Sequence, residues 1–326
     1  MAVFSLLFLL SCGGGGVPAA PVGHPIVEVI PVELDPETPN RKHLGRLTFL
    51  SGFELRSADF RFGGVSDLVL DADGSMLYAI SDRGYWLSAS IRHDTKGHLK
   101  AIGPWEITPL LTPERTTVSG WMRDAEGLAR DRDGSFIVSF EYAHRLWRYP
   151  PPPAAFSSPP QSLPTPAELA MAPSNGGLEA VTVLLDGRLL VLTEQYENPD
   201  GSLKGWLIEK DRFAVVSYLP LDGFQPTALV TLAGGDVLVL ERRHSWLTGW
   251  AARITRLSRA SLKAGARLKG KEIARLERPL VVDNFEGIAV RDVADQGTFI
   301  YLISDDNFSP FQHTLLLQFR LEADGN

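Results

Sequence analysis

The chain has 326 residues, a formal net charge of −7, 44% apolar residues, 30 Gly, 23 Pro and a single Cys. The acidic balance argues against a nucleic-acid partner, and one cysteine excludes an intrachain disulfide framework. The apolar fraction suffices for a large core, and the Gly and Pro content suits a chain that turns often.

The first element is expected to be a leader. "MAVFSLLFLLSCGGGG" carries a short apolar run and then Leu9-Leu10-Ser11-Cys12, which resembles the lipobox cleaved ahead of the cysteine in bacterial lipoproteins. A membrane-spanning helix needs about 20 apolar residues, twice what is present. Residues 1–24 are therefore expected to be a signal or lipoprotein leader with a Gly-rich tether. Lipidation at Cys12 would give an exported protein, periplasmic or attached to the outer membrane of a bacterium. An ordinary secretory signal with an incidental cysteine is the alternative.

From residue 25 to 322 a single domain is expected. "DLVLDADGSMLYAISD" runs from Asp67 to Asp82 with an Asp-Gly turn at its midpoint. The same pattern returns from Glu126 to Glu141 and from Glu179 to Glu194. A fourth copy runs from Thr227 to Glu241, and a fifth, with a longer turn, from Glu286 to Asp305. Two apolar runs around such a turn predict a β-hairpin, whose first and last residues meet at its open end. The opening positions 67, 126, 179, 227 and 286 recur at the period of β-propeller blades. Further strand-like segments follow each hairpin, such as "YWLSASI" and "GPWEITPLL" after the first. The expected fold is therefore an all-β β-propeller of five four-stranded blades, with a degenerate sixth left open within residues 25–62.

The last copy is followed by only one clear strand, "TLLLQFRL", so the early segment "GRLTFLSGFELRS" is expected to complete that blade and close the ring. Residues 150–166, "PPPPAAFSSPPQSLPTP", predict an exposed, polyproline-like insertion between blades two and three. "TPAE" at its end offers Thr165 as the cap of a short helix.

The acids at the hairpin ends are Asp67, Asp82, Glu126, Glu141, Glu179, Glu194, Glu241, Glu286, Asp305 and Asp306. If the first two strands of each blade line the tunnel, these carboxylates gather at one mouth. A hard cation such as Ca²⁺ takes six to eight oxygen ligands, so Asp82, Glu126, Glu141, Glu179, Glu194, Glu286, Asp305 and Asp306 are candidate metal ligands. The alternative is that each acid accepts backbone hydrogen bonds from the neighbouring blade and locks the ring. Arg83, Arg123, Arg242 and Arg243 fall beside these acids and are candidate anion-binding groups, although pairing with the adjacent acid explains them as well. Glu126, Glu141 and His144 are the candidate catalytic groups. Trp86, Trp121, Trp206 and Trp246 suit either stacking at the mouth or the core.

"DAEGLARDRDGSFIVSFEY", "NGGLEAVTVLLDGRLLVLTEQ" and "EGIAVRDVADQGTFIYLISDDNFSPFQHTLLLQF" resemble the bacterial phytase-like domain proteins, described as having esterase-like activity of phytase. The resemblance covers roughly residues 44 to 320 and implies an exported propeller with a hydrolytic role. No Gly-x-Ser-x-Gly elbow, His-Glu-x-x-His or Cys-x-x-Cys occurs, which takes support from a serine α/β-hydrolase and from a structural zinc site. Two function classes remain. One is a metal-assisted hydrolase of phosphate or carboxylic esters, monomeric, using Ca²⁺ and a small anionic substrate, and touching a membrane only through a lipid anchor. The other is a non-catalytic extracytoplasmic binding or assembly module.

Overall fold

The computed structural model describes residues 24–323, so Cys12 and residues 1–23 of the expected leader and tether lie outside the described residues. Five antiparallel sheets form the five blades. Blade one comprises Val65–Leu70, Met76–Ser81, Tyr85–His93 and Leu99–Pro109. Blade two comprises Ala125–Arg130, Phe136–Phe140, Arg145–Tyr149 and Gln161–Leu163. Blade three comprises Leu178–Val183, Leu189–Glu197, Leu203–Glu209 and Arg212–Tyr218, with Arg267–Leu268 added in parallel at its edge. Blade four comprises Gln225–Thr231, Val237–Ser245, Gly249–Leu257 and Lys271–Leu276. Blade five comprises Asn284–Val293, Gly297–Asp305 and Thr314–Leu321, to which Leu47–Ser57 and then Val27–Pro31 are added. The first strand of each blade packs against the first strands of both neighbours, which makes the ring. Among the described residues no helix is long and apolar enough to cross a membrane.

Ring closure follows the expectation. Leu47–Ser57 pairs antiparallel with Thr314–Leu321, from Leu55 opposite Thr314 to Leu47 opposite Leu321. The N-terminal segment thus finishes blade five, and the described residues hold no sixth blade. Between blades, apolar faces interdigitate: Phe299, Tyr301, Ile303 and Leu316 of blade five meet Leu68, Leu77, Leu87 and Trp105 of blade one. A buried polar network crosses the same seam. Gln318 accepts from the Leu99 amide at 2.8 Å and donates to the Gly97 carbonyl and to Tyr301, each at 2.8 Å.

The Pro-rich stretch is less separate than its composition implies. Gln161–Leu163 is the fourth strand of blade two, and Ala155 and Phe156 pack on the core between blades one and two. The turn at Ala167–Met171 is 3-10, and Thr165 does not cap it, since Pro166 takes the boundary position without a side-chain bond. Proline excludes ladder donors, but an outermost strand needs only one set of partners.

All five inner strands carry a β-bulge near the same end. Register shifts fall at Ser66, Glu126-Gly127, Glu179, Thr227 and Glu286. A bulge leaves its extra residue out of the ladder and re-aims the side chain. Gly127 and Gly287 follow two of the bulged acids because the blades touch there. A Cβ on Gly127 would lie 2.4 Å from the Glu179 carbonyl oxygen, and one on Gly287 2.8 Å from the Asp67 Cα.

Candidate functional site

The bulges decide which acids reach the tunnel. Ser66, Glu126, Glu179, Thr227 and Glu286 are equivalent on the inner strands, and Asp82, Glu141, Glu194, Arg242 and Asp305 are equivalent at the ends of the second strands. In blades two, three and five these are the acids anticipated from the repeat. In blades one and four the alignment slips by one residue, and a one-residue slip moves a side chain to the other face of a strand.

Two acids are therefore elsewhere. Asp67 is fully buried and accepts from the amides of Leu68 at 2.8 Å, Leu128 at 2.8 Å and Ile288 at 3.3 Å, which ties blade one to both neighbours. Burial raises its pKa well above the ordinary value, against the pull of those amides. Glu241 turns into blade four, where Arg253 donates to it twice at 2.8 Å. Thr227 hydroxyl bridges to the Leu240 and Phe285 carbonyls at 3.4 Å. The ring-locking role thus holds for Asp67, and the Thr227 hydroxyl also reaches blade five, whereas Glu241 braces two strands of its own blade.

The mouth itself is a cavity of about 230 Å³ lined by Asp82, Asp124, Glu126, Glu141, Glu179, Glu194, Glu286 and Asp305, with Arg242, Ser66, Asn175 and Asn307. The polar lining divides in two. On one side, one carboxylate oxygen from each of Asp124, Glu126 and Glu141 lies within 4.8 Å of the other two. Glu141 Oε1 accepts from the amides of Gly176 at 2.8 Å and Gly177 at 2.5 Å. Among the described residues no ion pair reaches this trio. The nearby Arg145 is engaged with the Ala143 and Met122 carbonyls and stacks on Phe140 and Trp147. On the other side, Arg242 donates to Glu194 at 2.9 Å and to Asn284 at 2.7 Å, and forms an ion pair with Glu286.

Crowding and burial disfavour the ionised state of these acids. Burial raises Glu126 well above the ordinary carboxylate value, and the charges of Glu179, Asp124 and Glu141 add to it. Glu179 is raised likewise by burial and then by Glu194 and Glu141. Glu141 is pushed up to about 7 by burial, against its two amide bonds. Glu286 and Asp82 also reach about 7, burial again leading; Arg242 opposes it at Glu286, and Asp124 adds to it at Asp82. Asp305 is raised well above its ordinary value by burial and by Glu286. Asp82 Oδ1 is buried without a hydrogen-bond partner.

The remaining sequence candidates stand outside the cavity. Asp306 accepts from the Gly64 amide at 3.0 Å and the Phe308 amide at 3.1 Å and shapes the adjoining loop. Arg83 lies over the Phe308 ring at 3.1 Å and donates to the Phe60 carbonyl. Arg243 donates to the Asp222 carbonyl and lies over Phe224. Arg123 is exposed on the rim beside Asp124. The His144 ring packs on Gly177 and meets the Pro173 carbonyl through Nε2 at 2.8 Å, outside the lining. Trp86 and Trp206 are core, whereas Trp121 and Trp246 are exposed. Asp124, Ser66, Asn175, Asn284 and Asn307 are site residues that the acid repeat did not single out.

Comparison with known proteins gives one family and several distant folds. The Phytase-like family model, described as esterase-like activity of phytase, matches residues 60–308. No curated protein matches. A solved structure provisionally assigned as a gluconolactonase is 12% identical, covering 94% of this chain and 92% of its own, with a TM-score of 0.46. Streptogramin B lyase is 12% identical over 86% of this chain and 90% of its own, TM-score 0.38. A hypothetical protein from Leishmania major is 13% identical over 87% and 92%, TM-score 0.42.

Proposed function

The chain belongs to the phytase-like family, and on that premise we propose that it is an exported, metal-assisted hydrolase of phosphate or carboxylic esters working at the acidic mouth. The observation that carries this reading is the trio Asp124, Glu126 and Glu141, three converging carboxylates that no ion pair reaches among the described residues, beside a half of the mouth that holds Arg242. The donor set fits a hard ion: it is all oxygen, it includes no thiolate or imidazole, and the buried Asp82 Oδ1 has no partner. Asp124, Glu126 and Glu141 would hold Ca²⁺, which when bound supplies charge neutralisation at an ester oxygen and lowers the pKa of a coordinated water.

The chain's own groups supply the rest. The Gly176 and Gly177 amides fix Glu141 Oε1, which orients the carboxylate without a neighbouring cation. Asp82, whose carboxyl burial pushes up to about 7, can take or release a proton near neutral pH. Arg123 on the rim attracts an anionic ester, and the cavity of about 230 Å³ has room for its acid head. The binding-module alternative draws on acids with structural work, Asp67 and Glu241, and neither faces the mouth. Export, with attachment through Cys12, rests on the apolar run and Leu9-Leu10-Ser11-Cys12.

The test is hydrolysis of 4-nitrophenyl phosphate and 4-nitrophenyl acetate by the purified protein with Ca²⁺. Turnover that chelation and Glu126→Gln both abolish is the expected result. Folded, calcium-treated protein that cleaves neither ester would remove the hydrolase assignment.

A further inference from the structure

Arg242 holds the position on blade four that an acid holds on the other four blades. Its surroundings are those of a cation site. Nη2 donates to Glu194 at 2.9 Å and lies 3.9 Å from Glu179, while Nη1 donates to Asn284 at 2.7 Å and pairs with Glu286. Asn284 Nδ2 in turn donates to Glu286 Oε1 at 2.7 Å, which fixes that carboxylate. Oxygen atoms from blades three and five thus converge on one positive group delivered from blade four. Such a set matches what a hard cation takes, and a planar guanidinium meets it with forked hydrogen bonds.

We propose that Arg242 is a built-in cation filling a second cation subsite of the mouth, so that the mouth accepts one divalent ion rather than two. The count of one ion rests on the proposed function, whereas the subsite filled by Arg242 stands on its own contacts. Remove the guanidinium, and Glu179, Glu194 and Glu286 face one another as buried like charges. A divalent ion then relieves them. Arg242 is a positioning residue here: it sets how many ions enter and keeps its three carboxylates pointed inward.

The experiment is calcium titration calorimetry on metal-stripped full-length protein, comparing the parent with Arg242→Met, Arg242→Lys and Arg242→Met/Glu286→Gln. The expected stoichiometry is one ion for the parent and Arg242→Lys, two for Arg242→Met, and one again for the double variant. Arg242→Met is also expected to show the larger calcium-induced rise in Tm, a readout that covers partial unfolding of the ion-free variant. An Arg242→Met protein that binds no more calcium than the parent, or stays unfolded in excess calcium, overturns the inference. So does a parent that binds two ions. If the parent binds none and Arg242→Met binds one that Glu286→Gln removes, the subsite stands and only the reading of the Asp124, Glu126 and Glu141 trio fails.

Discussion

Arg253 clasps Glu241 through two N–H···O bonds of 2.8 Å inside blade four, one position away from the residue that faces the tunnel. Both side chains are buried. Removing one partner of such a pair leaves an uncompensated charge and typically costs about 3 to 5 kcal/mol. Asp222 at 3.6 Å and Glu272 at 3.9 Å remain near Arg253, so Glu241→Ala is expected near the lower end of that range. Urea unfolding measures it, and Glu241→Met with Arg253→Met should lose less than the single variant.

Asp67 gives the second prediction. Its carboxyl satisfies three buried amides from three inner strands. An unsatisfied buried donor costs about 1 to 3 kcal/mol. Asp67→Ala should therefore lower stability by roughly 3 kcal/mol or more by the same accounting, with calcium stoichiometry unchanged. Asp67→Asn, which keeps one acceptor, should fall between the two. An Asp67→Ala protein as stable as the parent would contradict the locking role.

Ring closure is the third. Deleting residues 1–58 removes buried Leu47, Phe49 and Leu55 and exposes the edge of Thr314–Leu321. An uncovered edge is a site for pairing with other chains. The truncated protein is expected to aggregate or to lose its cooperative melt. A soluble product melting at the parent temperature would show that the strand is dispensable.

His93 supplies a pH signature away from the mouth. Its Nε2 meets the Tyr301 hydroxyl at 2.7 Å and its Nδ1 accepts from Arg291 at 2.8 Å, across the seam between blades one and five. Burial, and then Arg291, depress its pKa from 6.5 to about 4. Between those values the unfolded chain binds more protons than the folded one, so this contribution is present above pH 6.5 and is lost as pH falls toward 4. His93→Gln should flatten the stability profile in that window relative to the parent. Identical slopes would contradict the assignment.

How far the residues could be read ahead of the fold depends on what each signal reports. Asp-Gly turns at hairpin midpoints mark blades directly, because turn chemistry and apolar runs are local, and the five blades and their N-terminal closure follow from them. Register is not local. The bulge falls at the equivalent place in every blade, and Asp67 lies one residue after it while Glu241 lies one residue before the second-strand position that Arg242 takes, although the interval from Thr227 to Arg242 equals that from Glu126 to Glu141. Asp124 lies ahead of its inner strand, outside the repeated acid positions, so only the assembled mouth shows it beside Glu126 and Glu141. Arg83 and Arg243 look like rim arms in sequence, yet Phe308 and Phe224 hold them.

If Asp124, Glu126 and Glu141 hold a divalent ion as proposed, thermal unfolding of metal-stripped protein responds to Ca²⁺. At a hundredfold excess over the dissociation constant, binding stabilises the fold by about 2.7 kcal/mol. For a domain of this size that is a rise in Tm of about 5 °C. This rise is expected in the parent and is lost in both Glu126→Gln and Glu141→Gln. A parent Tm indifferent to calcium, or a rise that survives both substitutions, would contradict it.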